Sequence, residues 1–220
     1  IGDRQAHFLL NIAADEIADR IAIVERHFDT AIELHGATGV TAQRVMETGK
    51  VGSMTRLETS DEFLVREPTS KISSLEDLGL EPASANLVIS PLSLHLTNDT
   101  PGTLIQICKA LKPDGLFLAA LPGSGTLQEL RDVLLATEVE LLGGASPRVT
   151  PFGDAREYGA LLQRAGFALP VADAETLTVP YASPRELMCE VRALGGGEVP
   201  LSPSRAPPPP NATICTASSS

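Results

Sequence analysis

Two stretches of this chain are apolar at consecutive positions: Leu87-Val88-Ile89, and Leu116-Phe117-Leu118-Ala119-Ala120-Leu121. A third, Ala31-Ile32, runs into Glu33 and Leu34. Side chains of a strand point to alternate faces, so a strand that is apolar at every position must be covered on both. That is the habit of parallel sheets sandwiched between helices, and it excludes a half-solvated antiparallel sheet for these runs. Helix-period segments separate the runs, which gives an α/β domain with a doubly wound, mostly parallel sheet.

The helical pattern begins early. Over residues 5–27, Phe8, Ile12, Ile17, Ile21 and Val24 recur at helical spacing, predicting a helix that buries them. Helices are expected over 38–48, 100–111, 126–142, 154–165 and 183–194, and weaker strands over 51–57 and within 169–181. Gly49 and Gly166 stand where helices stop, Asp99 precedes a first turn carrying Pro101, and Lys112-Pro113-Asp114-Gly115 reads as a turn with Gly115 at positive φ. Residues 66–82 are irregular. Three units follow: an N-terminal helical segment (1–29), the α/β domain (30–195) and a Gly-, Pro- and Ser-rich tail (196–220) expected to lack regular structure.

Composition narrows the partners. A formal net charge of −11 repels a phosphate backbone, so nucleic acid is not the expected ligand. No apolar run reaches the roughly 20 residues of a membrane span. The three cysteines, Cys108, Cys189 and Cys215, are scattered, which argues against a disulfide framework or a zinc site, and no metal is expected. With no targeting pattern, the expected compartment is the cytoplasm. Nothing in the sequence specifies an oligomeric state.

The chemistry is expected where the first strand turns into its helix, at Glu33-Leu34-His35-Gly36-Ala37-Thr38-Gly39. Such turns bring backbone N–H groups and a helix N-terminus to a ligand, and small residues let it approach. Three readings fit the residues. An acid-x-Gly-x-Gly-x-Gly turn for S-adenosylmethionine matches at Glu33 and Gly39, with His35 and Ala37 in glycine places. A Gly-Ala-Thr-Gly dehydrogenase turn is spelled by 36–39, but neither Tyr158 nor Tyr181 is followed four on by lysine. A ligand-free β-turn-α is the third. Glu58, about 20 residues further on at the end of the second strand, stands where an acid takes ribose hydroxyls.

Downstream residues choose among these. Ser90-Pro91-Leu92-Ser93-Leu94-His95, followed by Ala110-Leu111-Lys112-Pro113-Asp114-Gly115-Leu116-Phe117-Leu118, resembles the fourth strand, next helix and fifth strand of class I S-adenosylmethionine-dependent methyltransferases. Gly123-Ser124-Gly125-Thr126-Leu127, Gly143-Gly144-Ala145-Ser146-Pro147-Arg148 with Pro151-Phe152, and Leu161-Leu162-Gln163-Arg164-Ala165-Gly166-Phe167 are similar to one subgroup. It comprises bacterial relatives of the mitochondrial complex I assembly factor of methyltransferase fold, associated with arginine hydroxylation, close to the biotin-pathway malonyl-carrier methyltransferases.

The resemblance implies a Rossmann-like sheet of the class I methyltransferase type, and S-adenosylmethionine as cofactor with S-adenosylhomocysteine as product. The cofactor would lie on Glu33, Leu34, His35, Gly36, Ala37 and Gly39, with Glu58 and Thr59 at the ribose, Ser74 and Leu75 at the adenine, and Ser90, Pro91 and Leu92 beneath. His95, just past the fourth strand, is the candidate catalytic residue; Arg148 and Tyr181 are candidate substrate contacts. The implied activity is methyl transfer to a small molecule or a protein side chain. The alternative is a non-catalytic assembly factor that keeps the fold and has lost cofactor affinity. Departures from the family pattern are His35 and Ala37 for glycine, Ser74 for an aspartate near the adenine, Ala85-Asn86 for Phe-Asp, and Leu96 for tryptophan.

Overall fold

In the computed structural model, residues 8–64, 69–144 and 152–193 are described. The elements run α1 (Phe8–Ala22), β1 (Phe28–Leu34), α2 (Val40–Glu47), β2 (Val51–Glu58), β3 (Lys71–Ile72), β4 (Ala85–Pro91), α3 (Thr100–Ala110), β5 (Leu111–Ala120), α4 (Gln128–Leu142), α5 (Ala155–Ala165) and α6 (Pro184–Ala193). Short 3-10 turns at Asp61–Phe63 and Leu94–Leu96 follow β2 and β4.

The five strands form one parallel sheet in the order β3-β2-β1-β4-β5. The chain order reverses between β1 and β4, so a crevice is expected beyond the carboxyl ends of those two strands. The central strands β1 and β4 are buried on both faces, whereas β5 is only partly buried and β3 is exposed. Ala31, Leu87 and Ile89 join Ile17 and Ile21 of α1 and Val45 of α2 on one side. Ile32, Leu34 and Val88 join Leu104 and Ile107 of α3 on the other, with Leu161, Leu162 and Phe167 from the α5 region packed against them.

Several local expectations are corrected. In α1 the buried face is Leu10, Ala13, Ala14, Ile17 and Ile21, a cleaner helical stripe than the one led by Phe8, whose side chain is 43% exposed. The turn at residues 112–115 is folded into β5 as an irregularity, where Ala85 and Leu87 face Leu111 and Leu116. Its left-handed residue is Asp114 (φ 60°), not Gly115. Gly115 is needed for a different reason: a Cβ there would lie 2.8 Å from the Lys112 carbonyl oxygen. No strand forms over 169–181, where Leu169 and Val171 project into solvent. The 196–220 tail and Arg148 lie outside the described residues. Asn86 sits at the amino end of β4, where its Oδ1 accepts from the Thr30 N–H and hydroxyl at 3.3 and 3.0 Å. That departure from the family pattern therefore lies at the end of the sheet away from the crevice.

The expected helix boundaries do carry their signals. Asp99 caps α3 by accepting from the Gly102 N–H at 2.9 Å. Asp154 and Glu157 form a reciprocal capping box on α5. Gly49 and Gly166 adopt positive φ just beyond the ends of α2 and α5. Among the described residues no helix is long and apolar enough to cross a membrane.

Candidate cofactor site

The parallel register sets Glu33 of β1 beside Arg56 of β2. Glu58 is two residues beyond Arg56 and shares its face of the strand. The three side chains are 0–1% exposed and form one buried cluster. Arg56 Nε donates to Glu33 Oε2 at 2.7 Å, and Nη2 donates to Glu58 Oε1 at 2.6 Å. Glu33 Oε1 accepts the Ala42 N–H of α2 at 2.8 Å. Glu58 Oε2 accepts the Ala37 N–H of the turn at 3.3 Å. A buried charge is tolerated only when paired and hydrogen-bonded, and this cluster meets that condition at both carboxylates.

The turn is shaped around this cluster. A Cβ on Gly36 would lie 2.5 Å from the Glu33 carboxyl carbon, and one on Gly39 would lie 2.8 Å from the Arg56 guanidinium carbon. Gly39 also has φ 71°. The two surviving glycines thus stand where charged side chains press against the loop. The two replaced ones keep glycine-like backbone: His35 has φ 51° and Ala37 φ 54°. Each costs about 1 kcal/mol for an L-residue, so the loop holds its shape against residue preference.

Burial raises the Glu58 carboxyl to about 7, with Glu33 adding to the rise and Arg56 opposing it. Burial lowers the His35 imidazole below its ordinary value, against a smaller opposing contribution from Ser73, so the ring is neutral at pH 7. His35 Nε2 lies 3.1 Å from Ser73 Oγ, bridging the ends of β1 and β3.

At the other side of the crevice, Ser93 Oγ donates to the Leu34 carbonyl at 3.0 Å and lies 2.7 Å from Ser90 Oγ. Pro91 is the last residue of β4, and Leu92 turns away at φ 54°. Ser74 is exposed and accepts the Glu76 N–H at 3.2 Å. Leu75 faces α3, its carbonyl 3.5 Å from the Thr103 hydroxyl. Thr59 is exposed just past β2.

His95 belongs to a separate place. It lines a cavity of about 520 Å³ with Thr97, Phe152, Tyr158 and Arg164, its ring edge-on to Phe152 at 5.8 Å. None of the residues 33–39, nor Glu58 or Ser74, lines that cavity. Tyr181 does not line it either. The structure therefore assembles Glu33, Gly36, Ala37, Gly39 and Glu58 into one group, sets Leu34 and Ser90 at its border, and leaves His95 apart. Arg56, Ser73 and Ser93 are the members that sequence reasoning missed. Arg56 had one usable signal, its i, i+2 spacing from Glu58 at the end of a strand. Among the described residues, no group of three or more His, Cys, Asp or Glu is placed to hold a metal ion.

A methyltransferase-domain family model matches residues 35–119, the span from the turn to the fifth strand. The chain is 35% identical to the mitochondrial arginine-hydroxylase NDUFAF5 of Dictyostelium discoideum, over 86% of this chain and 48% of that protein. It is 29% identical to the malonyl-[acyl-carrier protein] O-methyltransferase of Halorhodospira halophila, over 83% of this chain and 63% of that protein. A solved S-adenosylmethionine-dependent methyltransferase from Mesorhizobium loti superposes with a TM-score of 0.53 at 20% identity, over 72% and 83% of the two chains. This chain is a relative of the class I S-adenosylmethionine-dependent methyltransferases.

It spans about half the length of the NDUFAF5 protein it matches. The Rossmann-like α/β fold expected for a class I methyltransferase relative is the fold observed, with the strand order reversing at β1 and β4. The residues present fit the cofactor of that family in one specific respect. His35 and Ala37, which stand where the family pattern has glycine, both adopt positive φ, although neither residue favours it.

Proposed function

We propose that this methyltransferase relative binds S-adenosylmethionine at the β1–α2 turn and methylates a small molecule or a protein side chain. The observation that carries the reading is the retained left-handed backbone at His35 and Ala37. Strain of this kind persists where a site requires it. Residues 36–39 and the N-terminus of α2 would hold the methionyl part, Glu58 and Thr59 the ribose, and Ser74 with Leu75 the adenine. Ser90, Pro91 and Leu92 would form the floor.

When bound, the cofactor supplies an electrophilic methyl group. The protein's task is then alignment and exclusion of water. Glu58 accepts hydrogen bonds from vicinal hydroxyls. His95 orients the acceptor from its cavity or takes its proton. The cavity's Phe152 and Tyr158 rings suit an acceptor with an apolar stem, and Arg164 offers a cation at the rim. A cytoplasmic location belongs to the same proposal, supported by three scattered cysteines.

Calorimetric titration with S-adenosylhomocysteine tests the reading. Submillimolar binding, lost in Glu58→Ala, is expected. A folded protein that gives no heat would overturn it and favour the assembly-factor alternative.

A further inference from the structure

The Glu33–Arg56–Glu58 cluster does more than bury three charges. Arg56 reaches Glu33 through Nε and Glu58 through Nη2, so one planar guanidinium fixes both carboxylates in one geometry. The same Nη2 lies 3.4 Å from the Ala37 carbonyl, which ties the loop to the group. Nη1 is buried with no hydrogen-bond partner and lies beside Gly39, where a Cβ would approach it to 2.8 Å. Glu58 is left with one oxygen on Arg56 and the other turned to the Ala37 amide, over a long 3.3 Å bond that a ligand hydroxyl could share.

We infer that Arg56 is a positioning residue of the cofactor site: it locks Glu33 as the cap of α2 and holds Glu58 against the loop, its second carboxylate oxygen on the Ala37 amide. The inference rests on the cofactor reading above and deepens it. Arg56 acts through Glu58 and touches no reacting atom. Its consequence is a binding affinity governed by the charge state of Glu58.

The charged groups around Glu58 make this specific. Arg56 on its own strand favours the carboxylate, whereas burial and Glu33 on β1 oppose it. The loop contributes the Ala37 amide, and burial lowers the His35 imidazole below its ordinary value. Asp61 and Glu62 on the following turn and Lys71 on β3 are exposed. Removing the cation leaves two carboxylates sharing one dry site, and one of them then takes a proton.

The experiment is calorimetric titration of S-adenosylhomocysteine between pH 5.5 and 8.5 into the wild-type chain and Arg56→Gln, Arg56→Lys and Glu58→Gln. Wild-type affinity is expected to rise with pH, by up to about tenfold per unit below pH 7, and then to level off. Arg56→Gln should weaken binding at pH 7 by at least about tenfold and move the midpoint up by about one unit or more. Arg56→Lys keeps the charge without the fork, and should restore the midpoint but only part of the affinity. Glu58→Gln should bind with no pH dependence in this range. A wild type that binds, with Arg56→Gln matching it in affinity and midpoint, overturns this inference alone. So does Glu58→Gln retaining the wild-type pH profile, which keeps the test decisive if Arg56→Gln does not fold. A folded wild type that never binds overturns the cofactor reading and this inference with it.

Discussion

The two candidate regions of the molecule are built on opposite physics. At the ends of β1 and β2, Glu33, Arg56 and Glu58 are 0–1% exposed and fixed by charge-assisted bonds of 2.6 and 2.7 Å. Beyond β4, His95, Phe152 and Tyr158 surround an open cavity of about 520 Å³, with an exposed Arg164 at its rim. The first region has one arrangement available to it, because moving any member strands a buried charge. The second has apolar rings and solvated ends that can shift at little cost. The contrast matches the division of labour proposed here: a constant cofactor on the locked side and a variable acceptor on the open one.

Breaking the locked side should produce the largest effect. Arg56→Met leaves two buried carboxylates without their cation and is expected to cost about 3–5 kcal/mol at pH 7, read from urea unfolding. A loss under about 1 kcal/mol would mean that the cluster is not what holds this end of the sheet. The apolar side offers the matching control. Ile107 of α3 is fully buried against the other face of the sheet. Ile107→Ala should cost about 2–5 kcal/mol with no dependence on pH between 5 and 8, since a cavity carries no proton.

Proton linkage sharpens the comparison further. The Glu58 carboxyl is raised from 4.5 to about 7 in the folded chain. The folded state therefore holds this proton more tightly than the unfolded state. The stability it contributes is fully present below pH 4.5 and is lost as pH rises through about 7. Glu58→Gln removes that dependence. The stability difference between wild type and Glu58→Gln should shift by on the order of 1–3 kcal/mol between pH 5 and pH 8, with the wild type relatively weaker at pH 8. A constant difference would show that Glu58 ionises freely and that the region is not locked.

The loop predicts a gain. Ala37 sits at φ 54°, a conformation glycine accepts without steric cost. Ala37→Gly should stabilise the chain by about 1 kcal/mol. A loss in the unfolding midpoint would mean that the Ala37 methyl makes contacts worth more than its strain.

What was legible in the sequence follows the same division. Leu87-Val88-Ile89 could be read as a buried strand because both of its faces are covered, and that requirement is written in consecutive residues; the run from Leu116 forms its strand too but is only partly buried. Asp99 and Pro101, and Asp154 with Glu157, mark helix starts through bonds made within a few residues. Glu33 and Glu58 could be placed at strand ends for the same local reason. Arg56 could not be read as buried, because its partner Glu33 is 23 residues away and is reached only through the β1–β2 register. Ser93 is similar: its bond to Leu34 spans 59 residues. Residues 169–181 failed in the other direction. Their apolar content suggests strands, but a strand needs a neighbour, and Val171 is 87% exposed. In α1 the small residues Ala13 and Ala14 define the buried face, and their size hid them behind Phe8 and Ile12.

The smallest expected effect is at the cavity rim, and it tests whether that side is open in the sense argued here. Arg164 is an exposed residue near the end of α5, and no ion pair to it occurs among the described residues. Its guanidinium is solvated, so removing it strands no partner and leaves no buried acceptor unsatisfied. Its place near the helix end gives it a favourable interaction with the helix dipole of a few tenths of a kcal/mol, about 0.3–1 at low salt. Arg164→Gln should therefore change stability by no more than about 0.5 kcal/mol at 0.15 M salt, where such interactions are screened. Urea unfolding beside Arg56→Met gives the contrast in one measurement: the buried arginine is expected to hold the fold and the exposed one to be dispensable. A loss above about 1 kcal/mol at Arg164 would show that the cavity side, too, is held by charge. It would then have to open by moving a paired cation, and the difference between the two sides would be one of degree.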